Sequence, residues 1–298
     1  MELQNKIQIL LSPLNLIFGA AVRVRQKFFQ SKILKTFDLG VATVSVGNLT
    51  VGGTGKTPLV AFVSRALAGQ NHRVCILTRG YKRQNQKERI LVSDGQKILA
   101  SPAQAGDEAF ELAQKLIGVS AVIADRNRAS AGLWAKENLG STVFVLDDGM
   151  QHLRVRRDLE IVTVDATNPF GNGKLLPAGI LREPIAGLRR ADCVVVTRAD
   201  LSQNLPELKL QLENLSLRCP ILFAENKISE LTEINQFCVK TQSDQKSPKD
   251  KLLKTADQKL KTALAFCGLG NPNAFFEQLR REKFSLAYTK AFPDHFFL

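Results

Sequence analysis

The segment Thr50–Thr57, with the sequence TVGGTGKT, contains the residue types that bind nucleotide phosphates. Backbone N–H groups of glycines can curve around phosphate oxygens, and a following helix N-terminus adds positive potential. Lys56 would reach the β- and γ-phosphates of a nucleotide, and the Thr57 hydroxyl would ligate Mg²⁺. The predicted nucleotide-binding residues are Gly52, Gly53, Thr54, Gly55, Lys56, Thr57 and Pro58.

The flanking elements are those that a phosphate-binding loop requires. Residues 41–46 are apolar and mostly β-branched, which predicts a buried strand. Residues 58–67 predict a helix, with Pro58 near its first turn, where a missing N–H costs little. Thr50 stands where the first glycine of such loops is usual, and Gly47 lies three residues earlier. A glycine-rich turn with a chance Lys-Thr pair is the alternative, which the strand and helix disfavour.

Further apolar runs predict a sheet that is covered on both faces. Strands are predicted at 74–77, 119–124, 142–146, 161–164 and 193–196, and helices at 109–116 and 129–139. The runs lack the alternation of apolar and polar residues that marks a half-exposed strand. Residues 82–100 are polar and predict a hairpin or loop. The expected fold class is α/β, a mostly parallel sheet flanked by helices as in P-loop NTPases, with a second, smaller α/β domain.

Polar residues follow several of these strands, at the edge where such sheets bind ligands. They are Asn48, Arg79 with Tyr81, Asp125 with Arg128, and Asp147 with Asp148. Each group alone could be a solvated loop, but the topology predicts that they share one cleft.

The acidic residues and histidines near this cleft could carry acid–base and metal chemistry. Asp147-Asp148 has an arrangement in which a carboxylate binds Mg²⁺, and Glu108 offers another oxygen ligand. Asp107 could accept a proton from an attacking hydroxyl. His152 and His295 are the histidine candidates, and each could instead be structural.

Composition limits the partners. The chain has 298 residues, a length suited to two domains, and a net charge of +13, which favours an anionic partner. One Trp, two Tyr and the lack of aromatic-basic repeats argue against nucleic acid. Five scattered cysteines without a CxxC pair indicate reduced thiols rather than metal ligands.

Residues 7–22 are strongly apolar, shorter than a membrane-spanning helix, and interrupted by Pro13 and Asn15. The basic residues Arg23, Arg25 and Lys27 follow. An apolar face followed by positive charge suits a helix that lies on an anionic membrane surface. A helix packed on the protein's own core is the alternative.

An ordered set of motifs resembles the tetraacyldisaccharide 4′-kinase family, the lipid A 4′-kinases of Gram-negative bacteria. The resemblance covers nearly the whole chain, and its motifs are residues 46–58 (VGNLTVGGTGKTP), 78–81 (TRGY), 106–108 (GDE), 147–152 (DDGMQH), 170–179 (FGNGKLLPAG), 181–184 (LREP), 268–272 (GLGNP) and 292–295 (FPDH). It implies transfer of the ATP γ-phosphate to the 4′-hydroxyl of a tetraacylated glucosamine disaccharide 1-phosphate. We expect a peripheral protein on the cytoplasmic face of the inner membrane, and no obligate protein partner is evident from the sequence.

The resemblance also implies residue roles. Asp107 would be the catalytic carboxylate, His295 its partner, and Lys56 a contact to the transferring phosphoryl group. Thr57, Glu108 and Asp147 would surround Mg²⁺. The residues expected to face the lipid headgroup or the phosphates are Asn48, Arg79, Tyr81, Arg128, Asp148 and His152.

The predicted domains are a membrane-associating helix at 1–30, a nucleotide-binding domain at 31–187 and a smaller α/β domain at 188–298. Family members usually continue beyond His295 through a further strand and a final helix, so we expect the second domain to be truncated.

Two other classes remain as alternatives to a lipid kinase: a regulatory or partitioning NTPase, and a non-enzymatic module. A partitioning ATPase would carry a second lysine where Val51 stands, and a GTPase would carry an Asn-Lys-x-Asp motif that residues 197–200 lack. A membrane-bound nucleotide-sensing module is the third interpretation. ATP turnover that depends on the lipid would separate these possibilities.

Overall fold

The computed structural model describes residues 2–215, 217–225, 227, 261–267 and 271–292. The helices are α1 (Glu2–Gln30), α2 (Lys56–Gly69), α3 (Pro102–Ala105), α4 (Asp107–Lys115), α5 (Arg128–Leu139), α6 (Leu205–Asn214) and α7 (Pro272–Arg281). The strands are β1 (Ala42–Asn48), β2 (Val74–Thr78), β3 (Ile90–Ser93), β4 (Ser120–Ala124), β5 (Val143–Asp147), β6 (Leu159–Asp165), β7 (Cys193–Thr197), β8 (Ile221–Phe223), β9 (Lys261–Cys267) and β10 (Phe284–Ala291). Short 3-10 helices cover Ile185–Arg190 and Ala199–Leu201.

An eight-stranded sheet forms the centre of the larger part of the chain. Its strand order is β3-β4-β2-β5-β1-β6-β7-β8, and β3 pairs antiparallel with β4 whereas the other pairs are parallel. This confirms the predicted mostly parallel α/β sheet. Because β1 lies between β5 and β6, the phosphate loop at its carboxyl end is next to the ends of both strands.

Both faces of the sheet are apolar, which explains why its strands lack alternation. One face forms a single core with α2 and α4, containing residues such as Val46, Val60 and Leu112. The other face carries two separate apolar clusters, one around Phe144 near α5 and one around Val162 near α6. Ser45 and Glu160, which are hydrogen-bonded at 2.7 Å, are buried polar residues on β1 and β6.

Helix α1 has 29 residues and continues through Pro13. Its Gly19 is buried against Leu175, since a Cβ built at Gly19 would lie 2.8 Å from the leucine side chain. The opposite side of the helix leaves apolar side chains in solvent, and they recur at a spacing of three or four: Leu14, Ile17, Ala21, Val24 and Phe28. Among the helices that the structure describes, none combines the length and apolarity needed to span a bilayer.

The chain divides into two compact units, Met1–Ala224 and Glu225–Leu298. In the second unit, β9 and β10 pair in parallel and α7 connects them, which makes a βαβ unit. The predicted boundary at 187/188 differs from this division. Strands β7 and β8 hydrogen-bond into the main sheet, so residues 188–224 belong to the first unit.

Candidate functional site

The phosphate loop follows β1 and has the backbone that its glycines were predicted to allow. Gly52 and Gly55 have φ angles of 107° and 77°, a region that favours glycine. Gly55 caps the N-terminus of α2 in the left-handed conformation, and a Cβ there would also lie 3.2 Å from Thr197. Position 55 therefore favours glycine for two reasons: its left-handed backbone conformation and the short distance between the loop and Thr197 of β7.

Residues on β6 and at the end of β7 form hydrogen bonds with this loop. Arg198 donates to the Gly53 carbonyl at 2.9 Å and Thr197 donates to the Thr54 carbonyl at 3.0 Å. The Thr54 hydroxyl lies 2.8 Å from that of Thr163. These contacts fix the loop carbonyls toward the protein, the orientation in which loop N–H groups can serve an anion. No role was predicted from the sequence for Thr163, Thr197 or Arg198.

Lys56 begins α2 and points to the residues at the ends of β1 and β5. Its Nζ donates to Asn48 Oδ1 at 3.2 Å and lies 3.7 Å from Asp148 Oδ1. Asn48 is completely buried, and its Nδ2 donates to the carbonyl of Thr50 at 2.9 Å. The structure thus brings three predicted site residues together at the start of the phosphate loop.

Arg182, which lies in the LREP motif but had no role predicted from the sequence, joins this group. It binds Asp148 through two hydrogen bonds of 2.7 and 2.8 Å, and it donates to the Asn48 carbonyl at 3.0 Å. It also contacts Asn48 Oδ1. Planar guanidinium groups match carboxylates in this two-bond geometry, which fixes the position of the Asp148 side chain.

Asp147 and Asp148 are adjacent but have different environments. Burial raises the pKa of Asp147, and the neighbouring charge of Asp148 raises it further, while Thr78 donates to its Oδ2 at 2.8 Å. Burial would also raise the pKa of Asp148, but hydrogen bonding and charge from Arg182, with the charges of Lys56 and Arg128, hold it well below its usual range. Asp148 is therefore ionised and paired with Arg182 and Lys56. Asp147 is the more deeply buried carboxylate of the two.

Arg128 and His152 extend the site along the sheet edge. Arg128 is 6% exposed, its Nη2 donates to the Asp147 carbonyl at 3.4 Å, and its Nη1 lies 3.3 Å from His152 Nδ1. Burial lowers the pKa of His152 to about 3, and the charges of nearby arginines add to the effect; they are Arg128, Arg157, Arg25 and Arg154. His152 is therefore neutral at pH 7, and this part of the edge is strongly cationic.

Two neighbouring segments at the carboxyl edge of the sheet carry four further predicted site residues: Asp107, Glu108, Arg79 and Tyr81. Asp107 and Glu108 are the exposed first residues of α4, and Arg79 and Tyr81 follow β2. A Cβ at Gly106 would lie 2.6 Å from the Tyr81 carbonyl, so the start of α4 contacts this turn. Predicted residue His295 lies outside the described residues.

Two oxygen donors near the phosphate loop are of the kind that Mg²⁺ accepts. Within the described part of the chain, no three His, Cys, Asp or Glu side chains converge as a metal held by side chains alone requires. Mg²⁺ usually takes one or two carboxylates together with substrate phosphates. Asp147, at the end of β5, and Thr57, in the first turn of α2, offer oxygens of the appropriate kind.

Comparison with known proteins agrees with this site. The family described as "Tetraacyldisaccharide-1-P 4'-kinase" matches residues 7–297. A tetraacyldisaccharide 4'-kinase of Geobacter metallireducens is 39% identical over 98% of this chain and 80% of the relative. One from Halothermothrix orenii is 36% identical over 97% of this chain and 74% of the relative.

A solved structure is also similar. The "apo" form of LpxK from Aquifex aeolicus in complex with ATP superimposes with a TM-score of 0.76 and 31% identity, covering 97% of this chain and 83% of the other. The sequence match over nearly the whole chain, together with this fold, shows that the protein belongs to the tetraacyldisaccharide-1-P 4'-kinase family.

Proposed function

We propose that this protein transfers the γ-phosphate of ATP to the 4′-hydroxyl of a tetraacylated glucosamine disaccharide 1-phosphate, a step in lipid A biosynthesis. The observation that carries the proposal is the cluster of Lys56, Asn48, Asp148 and Arg182 at the start of the phosphate loop. Its members fall within the motifs that match the family. A partitioning or regulatory NTPase is not favoured, because the family match covers residues 7–297.

The chain's own residues bind and orient the reactants. Loop N–H groups and the α2 N-terminus bind the phosphates, and Lys56 neutralises charge on the transferring phosphoryl group. Asn48 and Asp148 hold Lys56 from the opposite side, so its ammonium group reaches the phosphates in a fixed position. Fixed positive charge is most effective when no reorganisation is needed during the reaction.

Asp147 and Thr57 would hold the magnesium ion, and Glu108 is a further ligand proposed from the family resemblance. When bound, Mg²⁺ neutralises charge on the β- and γ-phosphates. Burial of Asp147, which is 4% exposed, limits the water that competes with such an ion.

Asp107 is the proposed acceptor of the proton from the 4′-hydroxyl, with His295 as its partner in a dyad. Support comes from the family resemblance and from the position of Asp107 at the exposed start of α4, next to the turn that contains Tyr81. A carboxylate within hydrogen-bond reach of the attacking hydroxyl can serve as general base. Arg79, Tyr81, Arg128 and His152 are proposed to contact the anionic headgroup.

The exposed apolar side of α1 is the proposed contact with the cytoplasmic surface of the inner membrane. Ile17 and Leu16 are 65% and 73% exposed, and Arg23 and Lys27 are exposed on the same helix. An apolar surface beside positive charge binds an anionic lipid surface without spanning it.

Dependence of ATP turnover on the acceptor lipid tests the proposed function. Purified protein is supplied with ATP, Mg²⁺ and detergent micelles, with or without the tetraacylated disaccharide 1-phosphate. The proposal predicts ADP release only with the disaccharide lipid, and no release with a phospholipid of equal charge. ADP release at one rate in all mixtures would indicate a regulatory NTPase instead.

A further inference from the structure

A buried carboxylate, Glu183, connects helix α1 to the phosphate loop. Its side chain is 1% exposed and is bound by two hydrogen bonds and one ion pair, each from a different segment. Gln26 of α1 donates to Oε2 at 2.7 Å, Gln151 donates to Oε1 at 2.8 Å, and Arg190 lies 2.8 Å from Oε2. A buried charge requires such partners, so Glu183 fixes all three donors relative to one another.

Gln151 continues the connection into the active site. The same Nε2 that donates to Glu183 also donates to the Asn48 carbonyl at 2.9 Å. Asn48 in turn accepts from Lys56 at 3.2 Å. Hydrogen bonds therefore link α1 to the catalytic lysine through side chains that are buried or half-buried.

The residue before Gln26 contacts the segment of Gln151 directly. Arg25 donates to the Gln151 carbonyl at 2.8 Å. Two consecutive residues of α1 thus reach the site, Arg25 at the segment that supplies Asp147 and Asp148, and Gln26 at Glu183. The apolar residues Val24 and Phe28 of this helix are exposed, so a helix suited to lipid contact also contacts the active-site scaffold.

We propose that Gln26, Glu183 and Gln151 form a positioning network through which α1 holds Asn48 and Lys56 in their phosphate-binding arrangement. The inference rests on the proposed function, because it assigns α1 a role at that same site. Loss of the Gln26 bond leaves the buried Glu183 carboxylate with fewer donors, and the carboxylate then draws Gln151 away from Asn48. A shift of about 1 Å near reacting groups can lower turnover roughly 100-fold.

The test compares Gln26→Leu with Gln30→Leu, a matched change at an exposed position of the same helix. We expect Gln26→Leu to raise the Kd for ATP and lower kcat, with a combined loss of roughly 5- to 30-fold, which corresponds to one lost bond to a buried charge. It should also speed amide hydrogen exchange of residues 48–57 without ligand. Flotation with anionic vesicles should match that of Gln30→Leu.

The double variant Gln26→Leu/Glu183→Gln provides an independent measurement. Residues of one network are not additive, so this variant should be little worse than the worse single variant. Glu183→Gln alone should reproduce the ATP and exchange changes even if Gln26→Leu does not fold.

Either of two results would overturn the network: unchanged ATP affinity, turnover and loop exchange in both single variants, or losses in Gln30→Leu equal to those in Gln26→Leu. A wild-type protein that labels no lipid would reject the proposed function instead, and the exchange comparison would still decide the network.

Discussion

Arg182 binds both carboxylate oxygens of Asp148, with Nη1–Oδ2 and Nη2–Oδ1 distances of 2.7 and 2.8 Å. Asp148 also lies 3.7 Å from Lys56, so one carboxylate is shared by a fixed guanidinium group and the phosphate-loop lysine. Arg182 thereby holds Asp148 beside Lys56, which keeps the lysine ammonium group in a fixed position for phosphate binding.

The substitution Arg182→Lys should lower kcat by about 10- to 100-fold, because an ammonium group cannot make the two-bond fork. Initial rates of ADP release at saturating lipid measure the effect. Arg156→Lys, which alters an exposed pair with Asp38, is the control and should keep the wild-type rate. Equal rates for the two variants would show that the fork is not required.

The neutral state of His152 should make stability depend on pH. Its pKa is lowered to about 3 in the folded protein, whereas an unfolded histidine titrates near 6.5. The unfolded state therefore binds more protons between these values, and stability falls as pH decreases from about 6.5 to 3.

His152→Gln removes this titration and should reduce the loss of unfolding free energy across that window by about 2 kcal/mol. Denaturant titrations at several pH values measure the difference. His72→Gln, at an exposed position, should keep the wild-type pH profile. A His152→Gln profile parallel to the wild type would refute a buried neutral imidazole.

The exposed side of α1 should determine membrane binding. Ile17→Glu and Val24→Glu place charge on the apolar face, and each should weaken flotation with anionic vesicles by about tenfold or more. Leu133→Glu, at an exposed position on α5, should float like the wild type. High salt should also weaken binding. If neither the α1 substitutions nor salt changed flotation, α1 would not be the docking surface.

Asp107 and His295 should act as one unit if they form a dyad. Asp107→Ala and His295→Ala should each remove most of the activity, and the double variant should be little worse than the worse single variant. Single-turnover rates at saturating ATP provide the comparison. Losses that multiply fully would show that the two residues act independently.

Sequence patterns predicted the sheet because its strands are buried on both faces and show continuous apolar runs. Strand β3 was missed as a sheet strand because residues 82–100 are polar and the strand has four residues. The hairpin expected there exists in small form, since Ser93 pairs antiparallel with Ile98. Tertiary pairing with β4, which no local pattern contains, decides its place in the sheet.

The site could be predicted where one segment supplies the chemistry, as in the phosphate loop and Asp147-Asp148. Arg182 and Glu183 lie in a loop far along the chain, and their partners are set by the fold. The Arg198 contact to Gly53 depends on β7 lying two strands from β1, which sequence spacing does not reveal. The signal for Arg182 and Glu183 was the LREP motif, and the signal for Arg198 was its position directly after a strand.

The position of the transferred phosphate tests the central claim most directly. Protein is incubated with ATP labelled in the γ-phosphate and the tetraacylated disaccharide 1-phosphate, and the product lipid is analysed by mass spectrometry and mild acid hydrolysis of the 1-phosphate. We predict one added phosphate that stays on the distal sugar at the 4′ position, and none with Lys56→Ala, whereas Lys115→Ala on the exposed side of α4 keeps full activity. ATP hydrolysis without labelled lipid, or equal labelling by Lys56→Ala, would contradict the account.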